Sequence, residues 1–159
     1  MNDLAAAQLE SCFTDIAQSR MQGLPLVNPA LRVQALEFEC DPVDSHVWQG
    51  LLITPWFMNL VRMGCSQGSA LPEGAKATRH FGNTSFEFIG VFEPRLGAFE
   101  TCSLFSPMFE FANHEAALAT ASEILRQLRP SAAPAKSAAP MVPSRRGFLF
   151  GRASAGSVV

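Results

Sequence analysis

The sequence predicts an α+β fold, with a mostly antiparallel sheet of four to six strands, an N-terminal helix, a C-terminal helix and a flexible tail. Two segments of helical periodicity bracket a region of short strand-like runs. Those runs are rich in Val, Ile, Leu and Phe, and Pro, Gly and Asp turn chemistry separates them. Beyond residue 129 the composition shifts to Ala, Pro and Ser. Strands grouped between two helices indicate α+β, with the helices packed on one face of the sheet. The 159 residues suit one domain, and 48% hydrophobic against 16% charged residues excludes a wholly disordered chain.

Each element has a local cause. Between residues 3 and 21, Leu9, Phe13, Ile16 and Ala17 recur at helical spacing until Gly23 and Pro25 end the pattern. Residues 31–40 alternate imperfectly, as a strand. Asp41-Pro42-Val43-Asp44 turns the chain, because Pro presets φ and Asp carboxylates bond nearby N–H groups. Residues 46–54 form a second strand, interrupted at Thr54-Pro55 since proline cannot donate to a ladder. Residues 56–63 read as a third strand after a bend; a short helix capped by Thr54 is the alternative. The small, glycine-rich stretch 64–77 marks an exposed loop.

Residues 80–91 and 98–105 pair as antiparallel strands across a turn at 93–97, with Phe86 and Phe88 on one face. Asn113 caps the second helix, and Glu115 suits the dipole of its first turn. Leu118, Ala121, Ile124, Leu125 and Leu128 form its apolar stripe, and Pro130 ends it. The chain thus divides into an α+β domain over 1–129, an Ala/Pro-rich linker over 130–143 and a basic-aromatic tail over 144–159.

Charge is segregated along the chain. Six basic and fourteen acidic residues precede Ile124, a formal −8; six basic residues and no acid follow it, a formal +6. Such an acidic body disfavours nucleic acid, whose affinity comes mainly from clustered Lys and Arg on phosphates, and no nucleic-acid partner is expected. No apolar run is long enough for membrane insertion, and the N-terminus has no signal-peptide pattern. Cys12, Cys40, Cys65 and Cys102 lack metal-binding spacing. Reduced cysteines in the cytoplasm are the simplest reading.

The chain carries no Gly-x-Ser-x-Gly elbow and no Gly-rich phosphate loop, and His46, His80 and His114 stand in unremarkable contexts. These observations point away from an enzyme, and no cofactor is expected. Met58, Met63, Cys65, Cys102 and Met108 offer soft ligands, although Met and Cys also fill core gaps. A redox or metal carrier using Cys65 and Cys102 is therefore the alternative function.

Three segments are distinctive: Gly50-Leu51-Leu52-Ile53-Thr54-Pro55-Trp56-Phe57-Met58-Asn59-Leu60, Cys102-Ser103-Leu104-Phe105-Ser106-Pro107-Met108 and Ser144-Arg145-Arg146-Gly147-Phe148-Leu149-Phe150-Gly151-Arg152. The first two place a Pro among large apolar residues at a strand end. Together they predict a partner-binding apolar rim of Trp56, Phe57, Met58, Phe105, Pro107 and Met108. The three segments, in this order, resemble the nickel–iron hydrogenase assembly chaperones of the HybE type over roughly residues 9–152. That resemblance implies a cytoplasmic chaperone without catalysis, whose partner is a large or small hydrogenase subunit precursor. It carries no catalytic residues over.

The tail residues Arg145, Arg146, Phe148, Phe150 and Arg152 look like the start of a twin-arginine export signal, at the wrong end of the chain and without an apolar region after it. Two readings follow. The tail docks as a strand with Phe148 and Phe150 on one face, or it mimics a partner's export signal and guards the groove that receives it.

Overall fold

The computed structural model of the chain describes residues 2–64 and 71–129. Helix α1 (Asn2–Gln18) is followed by strands β1 (Gln34–Cys40), β2 (Val47–Ile53), β3 (Met58–Gly64), β4 (Lys76–Phe81), β5 (Thr84–Glu93) and β6 (Gly97–Phe105), then helix α2 (His114–Leu128). The strands form one antiparallel sheet in the order β1-β2-β3-β6-β5-β4. This is the α+β class the sequence predicts, at six strands.

The helices lie on opposite faces of the sheet rather than on one. Along β2 and β3 successive side chains point to opposite sides, and both sides are apolar. Leu51, Ile53, Met58 and Leu60 pack with Ala117, Ala121, Leu125 and Leu128 of α2. Leu52, Val61 and Met63 pack instead with Leu9 of α1. Central strands buried on both faces need a cover on each, so two helices must share the task.

Imperfect alternation in β1 has a specific cause. The register with β2 slips between Leu36 and Glu39, where Glu37 takes φ 51°. That bulge sends Leu36 to the α2 side and Phe38 to the α1 side, although their spacing alone would place them together. Gly50 opposite makes the bulge possible, since a Cβ there would overlap the Phe38 ring and the Leu36 carbonyl.

The stretch expected as one strand over 80–91 is instead a hairpin. Phe81 pairs with Thr84 across Gly82-Asn83, and Gly82 adopts φ 64°. A two-residue loop with positive φ matches the right-handed twist of the strands it joins. Asn113 Oδ1 accepts the Ala116 N–H at 2.8 Å, capping α2 as predicted.

Helix α2 runs from one edge of the sheet to the other. At its start His114 bonds Arg32 and Gln34 beside β1; at its end the Leu128 carbonyl accepts the Asn83 N–H of the β4–β5 hairpin. Fifteen helical residues hold those edges about 22 Å apart. At the far end of the same face the edges converge. Arg62 Nη1 donates to Asp41 Oδ2 beyond β1 at 3.0 Å and lies 3.5 Å from the His80 carbonyl of β4. The sheet is therefore a wedge, wide where α2 fills it and narrow where one guanidinium bridges it.

Candidate functional site

The wide end carries three irregular segments: the chain before β1, the β2–β3 turn and the chain between β6 and α2. Each is shaped by short-range hydrogen bonds. In the β2–β3 turn, Thr54 Oγ1 accepts the N–H groups of Trp56 (3.2 Å) and Phe57 (3.0 Å), and the Thr54 N–H donates to the Phe57 carbonyl. A buried Thr hydroxyl thus supplies the acceptor for two N–H groups of the turn, and the segment is a turn, not a helix.

Asn28 ties the three segments together. Its Nδ2 donates to the carbonyls of Met108 (3.0 Å) and Phe111 (2.9 Å), and its Oδ1 accepts the Ala30 N–H (3.0 Å). Its backbone N–H donates to the Pro55 carbonyl at 2.8 Å. Nothing in the hydrophobic pattern singles out this residue. Its only trace in the sequence is an Asn before Pro29 in a segment with no other regular signal.

The predicted rim residues divide under this arrangement. Met58 and Met108 are 0% exposed and belong to the core beneath α2, so they support the rim from below instead of facing outward. Met58 is held there because β3 begins at that residue and pairs with both Ile53 and Phe105. Trp56 and Phe57 are half-buried on the α1 side, where they form an aromatic trio with Phe13 at centroid separations of 5.6–6.4 Å. Phe105 is half-buried on the other side and meets the Phe111 ring edge-on at 5.2 Å; Pro107 is exposed.

Three exposed side chains that the sequence did not flag extend this rim. Phe109 is 54%, Leu26 45% and Leu24 42% exposed, and all three lie on the segments that Asn28 clips. A lone exposed Leu is ordinary, but several large apolar groups on neighbouring loops form the kind of surface that partners cover.

His114 anchors the α2 end of this region. It is buried, its Nδ1 accepts the Arg32 N–H at 3.2 Å, and its Nε2 faces Gln34 Oε1 at 2.8 Å. An acceptor on one nitrogen and a donor on the other define the neutral imidazole. Burial, reinforced by the positive charge of Arg32, lowers its pKa below the ordinary 6.5.

The carrier alternative rests on Cys65 and Cys102. Cys65 lies outside the described residues, as do Arg145, Arg146, Phe148, Phe150 and Arg152. Burial pushes the Cys102 thiol up to about 11, away from the thiolate that redox exchange and metal binding require. Among the described residues no three His, Cys, Asp or Glu side chains group as metal ligands, and no helix is long and apolar enough to cross a membrane.

The fold and this loop cluster define an α+β scaffold with exposed apolar side chains on its loops at one end, and comparison with known proteins names its family. Residues 4–151 match the model described as [NiFe]-hydrogenase assembly, chaperone, HybE; the chain belongs to that family. It is 50% identical over 160 residues to protein HoxT of Cupriavidus necator, covering 91% of this chain and 87% of the relative. It is 37% identical over 120 residues to the hydrogenase expression/formation protein HupJ of Bradyrhizobium diazoefficiens, covering 76% and 69%. The solution structure of HybE from Escherichia coli shares the fold, with a TM-score of 0.60 over 94% of this chain and 91% of that one, at 22% identity.

Proposed function

We propose that the protein is a cytoplasmic, non-enzymatic assembly chaperone that binds an immature nickel–iron hydrogenase subunit through the wide end of its wedge. The carrying observation is the set of exposed Phe109, Leu24 and Leu26 and half-buried Trp56, on loops held by the buried Asn28, with half-buried Phe105 at the end of β6. Apolar and aromatic groups on a fixed scaffold suit a client that still exposes apolar surface of its own. Family membership supports a hydrogenase subunit as the client, and on this reading it is a large or small subunit precursor. Capture of a small-subunit precursor would also shield its twin-arginine export signal.

The test is affinity purification of the tagged full chain from cells making a nickel–iron hydrogenase, with the retained proteins identified by mass spectrometry. The expected result is a hydrogenase subunit precursor, lost from Trp56→Ala and Phe109→Ser chains that keep wild-type far-UV circular dichroism. Precursor retained by both variants at wild-type levels would refute the surface, and no precursor with the wild-type chain would refute the client.

A further inference from the structure

We infer that Asn28 is the positioning residue of the docking surface: its side-chain amide sets the Phe109 turn against the segment that presents Leu24 and Leu26, and its backbone N–H joins that segment to the turn that presents Trp56. The inference rests on the docking reading above and gives it a structural determinant.

The hydrogen-bond pattern selects this residue type. Asn28 is 7% exposed, so whatever its amide does not bond inside the protein goes unbonded. Both Nδ2 hydrogens are used, one on the Met108 carbonyl and one on the Phe111 carbonyl. Those two carbonyls flank Phe109 and Glu110, so they fix both ends of the turn from which Phe109 projects. The acceptor side holds Ala30, and the Asn28 carbonyl accepts the Leu31 N–H at 3.1 Å. The backbone bond to Pro55 adds the residue directly before Trp56. Only a primary amide supplies two donors and an acceptor in one short planar group. An Asp of the same shape would aim lone pairs at two carbonyls.

Phe109 cannot position itself by packing. At 54% exposure it lacks the enclosing contacts that fix a core side chain, so the place of its turn depends on backbone anchors. The segments lie outside the sheet ladder, and loss of the amide should loosen the Phe109 turn from the chain before β1 while the strands and the backbone bond to Pro55 stay in place.

The test compares full-length wild type with Asn28→Asp in capture of the hydrogenase subunit precursor, at a temperature where circular dichroism shows both folded. Arg79→Gln, which cuts the Arg79–Glu100 pair at the narrow end, is the stability control. Phe109→Ser reports on the surface itself. Asn28→Ser, which keeps an oxygen acceptor and replaces the two amide donors by a single hydroxyl on a shorter side chain, takes the place of Asn28→Asp if the latter does not fold. Two unmade buried bonds predict a loss of capture of roughly ten-fold or more for the Asn28 variant. Arg79→Gln should lower the melting temperature with capture unchanged. Wild-type capture by the Asn28 variant, while Phe109→Ser abolishes it, overturns the inference and leaves the surface standing. Wild-type capture by Phe109→Ser overturns both. Equal losses in the Asn28 and Arg79 variants at matched melting temperature assign the effect to stability and overturn the positioning role.

Discussion

The wide and narrow ends of the wedge face the same problem with opposite chemistry. At the wide end α2 covers Leu51, Ile53, Met58, Leu60, Phe81 and Phe88 with Ala117, Ala121, Leu125 and Leu128, a plug held by area and fit. At the narrow end Gln49, Arg62 and Glu100 stand side by side across β2, β3 and β6. Arg62 Nη1 donates to Gln49 Oε1 at 2.8 Å and to Asp41 at 3.0 Å; Glu100 accepts from Arg79 Nε at 2.9 Å and from the Leu71 N–H at 3.0 Å. Two guanidinium groups meet two carboxylates, so the cluster is neutral as a whole. An apolar plug tolerates small shifts, whereas an ionic cluster demands fixed geometry. The adaptable filling therefore lies beneath the loops proposed to meet a partner, and the exacting one pins the edges at the far end.

The largest effects should come from breaking either plug. Glu100→Gln leaves buried Arg62 and half-buried Arg79 with one carboxylate fewer between them, and should cost about 3 kcal/mol. Leu125→Ala removes a fully buried side chain beneath α2 and should cost a similar 3 kcal/mol or so. In urea both variants should shift the midpoint at constant slope. They separate in function: Leu125→Ala should weaken client capture because α2 supports the loops, and Glu100→Gln should spare it. Equal loss of capture in both would mean the two ends are not independent.

A smaller effect should follow from disturbing the point where the sheet meets the end of α2. Gly82 takes φ 64°, and a methyl there would overlap the Leu128 carbonyl that bonds Asn83. Gly82→Ala should cost about 2 kcal/mol in urea unfolding, combining left-handed strain with a steric clash. Gly74→Ala is the comparison, because Gly74 has φ 86° with open space around it; it should cost only the strain, about 1 kcal/mol. Equal losses would show that the contact with α2 contributes nothing.

How much of this was legible depended on how local its cause is. Both helices could be read because their caps and apolar stripes lie within the segments themselves, as Asn113 and Leu125 show. Class and strand order of magnitude followed from turn chemistry. The Gly82-Asn83 hairpin was readable in principle, since Gly-Asn between two apolar runs is a turn signal, but the flanking Phe residues made one continuous strand look plausible. Two-sided burial of β2 also had a signal, the unbroken run Leu51-Leu52-Ile53, which one-sided alternation would not give. By contrast, the roles of Asn28 and of Arg62 arise from partners 80 and 21 residues away, and no local pattern encodes them. Trp56 and Phe105 stand out in the sequence for their type and position, and the structure leaves both half-buried. Met58 and Met108 had the same character on paper, and only the tertiary fold turned them inward.

The finest probe of the wide end is His114, which closes α2 onto β1. Its neutral form accepts from Arg32 and pairs with Gln34; an imidazolium would turn a donor toward the Arg32 N–H and add charge beside Arg32 in a buried site. Around it, Arg32 opposes protonation and Glu115 partly favours it, with burial the larger cause. Since the folded pKa lies below the unfolded value, the unfolded chain takes up the proton first as pH falls. The stabilisation is complete above about pH 6.5 and is lost as pH drops below that value toward the folded pKa. Stability measured from about pH 7.5 to about pH 5 should therefore fall more steeply for the wild type than for His114→Gln, which cannot titrate. Parallel curves would mean that His114 titrates alike in both states and that the joint between α2 and β1 does not depend on its neutral form.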